Sequence, residues 1–149
     1  MASRRDQIQM SDEELRDFLD EEKVVTCATI GPNGRPHLMP LWYVVDDGVL
    51  RGWTYAKSQK AKNLERDPHA TLQIEAGVAY EELRGVMMEC DVELVHDNVA
   101  AFGAALFERY APGVDVSEMI AEQAPKRVGL TFIPTRTVTW DHRKLGGSY

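Results

Sequence analysis

Two turn signatures constrain this chain more than any other feature of it. Gly31-Pro32-Asn33-Gly34 and Asp46-Asp47-Gly48 cut residues 23–55 into three short runs, KVVTCATI, PHLMPLWYVV and VLRGWTY. Gly, Asn and Asp tolerate the positive φ of tight turns, and the runs between them are rich in β-branched and aromatic residues. The pattern predicts three consecutive antiparallel strands. Pro40 within the second run cannot donate a ladder hydrogen bond, which places that strand at an edge, a bulge or a rim.

The same grammar continues downstream. ATLQIEA alternates as a fourth strand and LRGVMMECDVELV extends as a long fifth, while RVGLTFIP and TRTVTWDH read as two strands of a closing hairpin. Ser11 with Glu14 forms a capping box ahead of Leu15, Phe18 and Leu19 at helical spacing, so residues 12–22 read as an amphipathic helix. Residues 59–66 form a short helix stopped by Asp67-Pro68, residues 97–109 a longer one, and residues 115–123 a further turn or two. Residues 1–10 read as a flexible N-terminal arm and residues 11–149 as a single domain. Six or seven strands with few, short helices suggest a closed or nearly closed antiparallel barrel.

Composition narrows the function classes. At 149 residues the chain can bury a sizeable core, and 44% hydrophobic with 28% charged residues describes an ordinary globular protein. No run of about 18 apolar residues marks a membrane span and no apolar signal core opens the chain, so a cytoplasmic location is expected. A pI near 5.1 argues against nucleic acid as the main partner. Cys27 and Cys90 form no metal or redox motif, and the four histidines, His37, His69, His96 and His142, lack metal-ligand spacing. Asp141-His142 beside Ser148 makes no hydrolytic triad, since adjacent residues of a strand point to opposite faces. The nucleotide, zinc-protease and hydrolase motifs GxGxxG, GxxxxGK[ST], HExxH and GxSxG are all missing.

What remains is basic and aromatic. Between Arg51 and Arg66 five cations (Arg51, Lys57, Lys60, Lys62, Arg66) face one acid, Glu65, inside a chain of net charge −7. Ser58 can cap the helix start, where free N–H groups and the helix dipole attract anions, and Lys57 and Lys60 flank it as surface charges. A phosphate site and a merely solvated basic face are both consistent with this window. Trp42, Tyr43, Trp53, Tyr55 and Trp140 lie on strands near turns or basic residues. Each alone is ordinary core; with a phosphate site beside them they suit a flat phosphorylated cofactor.

The segments ATIGPNGRPHLMPLWYVVDDG, WTYAKSQKAKNLERDPHATL, ELRGVMMECDVELV and LTFIPTRTVTWDHRKLGG closely resemble the flavin and deazaflavin split-barrel family. This is the pyridoxamine-phosphate-oxidase-like superfamily, and the chain is most similar to its actinobacterial branch that binds coenzyme F420. The resemblance runs from about Ser11 to Gly146. It implies a six-stranded antiparallel split barrel that forms a homodimer with two cofactor sites at the interface. It further implies that His37, Met39, Pro40, Leu41 and Trp42 line the tricyclic ring. Trp53, Thr54, Lys57, Ser58, Lys60 and Asn63 would hold the phosphate end, and Trp140 would approach the ring from the partner chain. Residues matching the family's pyridoxal phosphate contacts are not evident, which disfavours vitamin B6 oxidation.

The leading expectation is therefore an F420-dependent oxidoreductase passing hydride between reduced deazaflavin and an unsaturated or conjugated small molecule. Its anionic tail would use the basic surplus of Arg51, Lys57, Lys60, Lys62 and Arg66, with Arg4 and Arg5 as additions. Tyr43 and His37 are the candidate proton donors. The alternatives are flavin mononucleotide (FMN) in the same fold, and a non-catalytic carrier of a cofactor, haem or another tetrapyrrole.

Overall fold

The computed structural model describes residues 2–147, so Ser148 of the rejected triad lies outside the described residues. Seven strands form one antiparallel sheet: β1 (Val25–Ile30), β2 (Pro36–Leu41), β3 (Val44–Asp46), β4 (Val49–Tyr55), β5 (His69–Ala76), β6 (Arg84–Val95) and β7 (Arg127–Asp141). Their order across the sheet is β2-β1-β5-β6-β7-β4-β3. The helices are α1 (Arg4–Gln7), α2 (Asp12–Glu21), α3 (Gln59–Arg66), α4 (Val99–Tyr110) and α5 (Ser117–Gln123).

The sheet has seven strands rather than the six that the resemblance implies, and it departs from the sequence reading at two places, one where an expected strand is split and one where two are merged. The run PHLMPLWYVV is split at Trp42-Tyr43. The Tyr43 ring is fully buried and its hydroxyl donates to the carbonyls of Leu19 and Glu22, both at 2.7 Å. Its backbone N–H donates to the Tyr110 hydroxyl at 3.0 Å and so leaves the ladder. The expected closing hairpin is instead one continuous strand, β7. Pro134 falls just past the last β4 pair, Leu50 with Phe132, where only β6 remains as neighbour. A bulge there pairs Cys90 with Pro134 but Glu89 with Arg136, and the extra Thr135 hydroxyl donates to the Glu89 carbonyl at 3.1 Å. Pro40 lies on β2, an edge strand, where a missing N–H is tolerated.

The two edges of the sheet are close in space. β2 ends at Leu41 and β3 begins at Val44, so two residues bridge opposite edges. Three extended steps span at most about 10 Å, which forces the sheet to curl into a half-barrel whose split lies between β2 and β3. The interior holds the main core, including Phe18 and Leu19 of α2 with Val25, Leu50, Leu72, Ile74, Val86, Leu130 and Phe132. On the outer face of β4, Trp53 anchors a second core with Val99, Leu106 and Ile120. Gly103 of α4 lets that helix approach, because a Cβ there would stand 2.5 Å from the Trp53 ring.

The N-terminal segment hydrogen-bonds to the end of β7. After α1, the Ile8 carbonyl accepts from the Asp141 N–H at 2.7 Å and the Met10 N–H donates to the Thr139 hydroxyl at 2.9 Å. No helix among the described residues is long and apolar enough to cross a membrane.

Candidate functional site

The turn between β4 and α3 is tied to the start of β7. Tyr55 pairs with Arg127, the Ala56 N–H donates to the Lys126 carbonyl at 2.9 Å, and the Ser58 N–H donates to the Tyr55 carbonyl at 3.0 Å. Ser58 caps α3 as its sequence suggests, accepting from the Ala61 N–H at 3.1 Å, and Thr54 places its hydroxyl oxygen 3.3 Å from that of Ser58. A rigid, hydroxyl-lined helix start is thus held at the end of the half-barrel.

Lys60, in the first turn of α3, is the most informative residue here. It is only 6% exposed, yet no carboxylate or hydrogen-bond acceptor partners it among the described residues. Burial pulls its pKa below the usual lysine value, and Arg127 adds to that shift. Its charge reaches the Cys27 thiol, which burial pushes up to about 11 and which therefore gives no anion in return. The Lys60 stem is buried, but its Nζ is not among the enclosed polar atoms left without a partner, so the ammonium still meets solvent and has no protein counter-charge. The donor types gathered at this helix start, a lysine ammonium, two hydroxyls and the first-turn N–H groups, are ones that suit phosphate.

β2 carries the expected ring wall along the split. His37, Met39 and Leu41 pair with Thr29, Cys27 and Val25, so these three share the inner face, while Leu38 and Pro40 face outward. Met39 is 46% exposed although its neighbour Cys27 is fully buried, which marks the half-barrel as open at this edge. Nδ1 of His37 is buried without a hydrogen-bond partner. α3, which carries Lys60, packs against β1, and β1 pairs along its length with this wall.

Other expected site residues are committed elsewhere. Asn63 is fully buried; its amide donates to the Thr29 hydroxyl at 3.1 Å and its oxygen accepts from Gln59 at 2.8 Å, so it ties α3 to β1. The Trp53 indole is enclosed in the second core, because it points to the face opposite Thr54. Trp42 stacks on Tyr110 with ring centroids 4.4 Å apart. Tyr43 fails as a proton donor: its hydroxyl is spent on two carbonyls and burial pushes its pKa up to about 12. Trp140, half-buried, lies across Gly85 near the far end of β7 from Arg127.

The basic surplus is also smaller than its sequence count. Arg51 pairs with Asp46, and Arg66 donates to the Ile30 carbonyl and to Asn63. Arg4 and Arg5 sit on α1, whose following residues dock at the Asp141 end of β7, away from Lys60. Lys57 and Lys62 remain exposed. Arg127, opposite Tyr55 in the β4–β7 pairing, stacks on the Tyr55 and Trp53 rings. An open trough of about 1290 Å³ lies elsewhere, between α2, the β3–β4 hairpin and α4. Asp12, Asp20, Asp46, Asp47, Glu93 and Glu108 line it against three arginines, a poor match for an anion.

Among family models, the one described as Pyridoxamine 5'-phosphate oxidase matches residues 11–141. A conserved hypothetical protein from Mycobacterium tuberculosis is 41% identical, with a TM-score of 0.90 over 99% of this chain and 95% of that one. A structure described as an F420 reductase is 25% identical, with a TM-score of 0.65 over 82% of this chain and 94% of its own. The FAD and heme binding protein from Mycobacterium smegmatis, 17% identical, shares the fold at a TM-score of 0.74 over 91% of this chain and 73% of that chain. No curated protein matches.

Proposed function

The chain belongs to the pyridoxamine 5'-phosphate oxidase family, and from that membership we propose that it is an F420-dependent oxidoreductase acting on an unsaturated or conjugated small molecule. The observation that carries the reading is Lys60, whose stem is buried and whose ammonium has no protein counter-charge, in the first turn of a helix capped by Ser58. The similarity to an F420 reductase favours the deazaflavin over other phosphorylated rings. The likeness to an FAD and heme binding protein keeps FMN as the second reading.

In this proposal Lys60, Ser58 and Thr54 hold the phosphate, and the α3 dipole favours its charge. His37, Met39 and Leu41 offer the ring an inner wall. The bound deazaflavin supplies the hydride; the protein supplies position, electrostatics and exclusion of water. The purified protein should show either no visible chromophore or a deazaflavin spectrum, and should bind added F420 more tightly than FMN. Tightly bound flavin that F420 cannot displace would overturn the reading.

The protein is further proposed to act as a homodimer with its cofactor sites at the interface, where Trp140 of one protomer approaches the ring held by the other. Leu38 is 58% exposed and Met39, Trp42 and Val45 are also exposed along the two sheet edges, more apolar edge than a lone half-barrel tolerates well. Light scattering at micromolar concentration should give about twice the 16.8 kDa chain mass. A stable monomer that binds cofactor at full affinity would sink the interface site.

A further inference from the structure

We propose that the open trough between α2, the β3–β4 hairpin and α4 docks a basic amphipathic helix of a partner protein. The trough shares no residue with the Lys60 site. Its floor is a row across the sheet, in which Thr131 of β7 pairs with Arg51 of β4 on one side and with Glu93 of β6 on the other. Paired residues point to the same face, here the outer face that also carries Trp53. Thr131 is only 7% exposed, and its hydroxyl makes no hydrogen bond among the described residues. That hydroxyl is not a sealed-off atom either, so it opens into the trough as an unused polar group. One wall is α4, whose Ala101, Ala105 and Glu108 fall on one face at helical spacing with Phe102 beside them.

Charge selects the occupant. Arg51 is neutralised by Asp46, and Arg109 is turned to the carbonyls of Leu19, Asp20, Glu22 and Tyr43. Setting Arg16 against Asp12 still leaves Asp20 of α2, Asp47 of the hairpin, Glu93 of β6 and Glu108 of α4 with no cation partner among the described residues. These carboxylates stand on separate elements around apolar surface from Phe102, Ala105, Val44 and Val95, so they complement cations spaced along an apolar stem. The volume of about 1290 Å³ exceeds the roughly 300–1,000 Å³ of small-molecule pockets. A helix about 10 Å across fits it over roughly three turns, with lysines or arginines reaching the carboxylates and Thr131 while its apolar residues lie on α4.

The test titrates a dye-labelled synthetic helix of leucines and lysines against the full-length wild type and variants, read by fluorescence anisotropy. Glu93→Gln with Glu108→Gln should weaken binding roughly three- to tenfold, the loss of two charge pairs. Glu75→Gln with Glu122→Gln makes the same change in net charge away from the trough and should shift affinity less than about twofold. Ala105→Arg, at an exposed position of α4, should weaken the peptide at least about tenfold and leave the thermal midpoint unchanged. Amide shift changes on adding peptide should centre on Glu93, Thr131 and α4. Equal losses in the two double variants, or shift changes centred elsewhere, overturn the proposal. Displacement of the peptide by an equal concentration of spermidine also overturns it, marking a site for small polycations. So does a fall in the light-scattering mass of Ala105→Arg from that of a dimer to that of one chain, which would place a second copy in the trough.

Discussion

Lys60→Met is expected to make the cofactor-free protein more stable while nearly abolishing its grip on the cofactor. Met keeps the buried aliphatic stem and removes a partly desolvated, unpaired charge, a change worth about 0–1 kcal/mol. For a domain of this size that is a rise of at most about 4 °C in thermal midpoint. Cofactor affinity should fall about ten- to a hundredfold, the loss of one charge-assisted bond to phosphate. The stability gain has a definite pH dependence. Folding lowers the pKa of Lys60, so the unfolded chain binds more protons between the folded value and the ordinary one. Wild-type stability therefore climbs with pH through that alkaline window. The advantage of Lys60→Met is complete below the folded pKa and fades above it. Scanning calorimetry across pH, with and without cofactor, reads both effects. A cofactor-free variant less stable than wild type at neutral pH would show that Lys60 is satisfied within the protein.

Arg109→Ala should be the most destabilising single change outside the apolar core, at about 2–4 kcal/mol or roughly 5–15 °C. Helix α2 ends without a basic residue in its last turn, so its final carbonyls need donors from elsewhere. Arg109 of α4 supplies them, donating from one nitrogen to the carbonyls of Leu19 at 2.9 Å, Asp20 at 3.1 Å and Glu22 at 2.9 Å. Its other terminal nitrogen donates to the Tyr43 carbonyl and to the Tyr110 hydroxyl. One guanidinium thus binds the end of α2 to α4 and to the break between β2 and β3. Arg136→Ala, which removes only a 3.7 Å pair with Glu89 on an exposed strand face, should cost about 0–1 kcal/mol and serves as control. Denaturant melts giving the two variants equal losses would refute the capping role.

Much of this architecture was legible from local rules. The turns at Gly31–Gly34 and Asp46–Gly48, the Ser11 and Ser58 caps and the edge placement of Pro40 are each set by a few neighbouring residues, and the structure bears them out. The failures share a different cause. Tyr43 breaks its strand because of carbonyls on α2, some twenty residues away. Pro134 stays inside a strand because β4 has already ended and a bulge absorbs it. The site divides along the same line. Lys57 and Lys60 look alike in sequence as cations beside a cap. Packing of α3 against β1 leaves one in solvent and buries the other. Arg51 and Arg66 contribute to the local charge count but are neutralised by partners in three dimensions.

The central claim is tested most directly by titrating F420 and FMN against the wild-type protein at low and high ionic strength. Ring, ribityl chain and first phosphate are common to both ligands, so Lys60, Ser58 and the β2 wall should treat them alike. The excess must come from charges beyond the first phosphate meeting the exposed Lys57 and Lys62, contacts of about 0–1 kcal/mol each that salt screens. The account predicts F420 binding about ten- to a hundredfold tighter at low salt, with the gap narrowing at high salt. Equal affinities at low salt, or tighter binding of FMN, would contradict it.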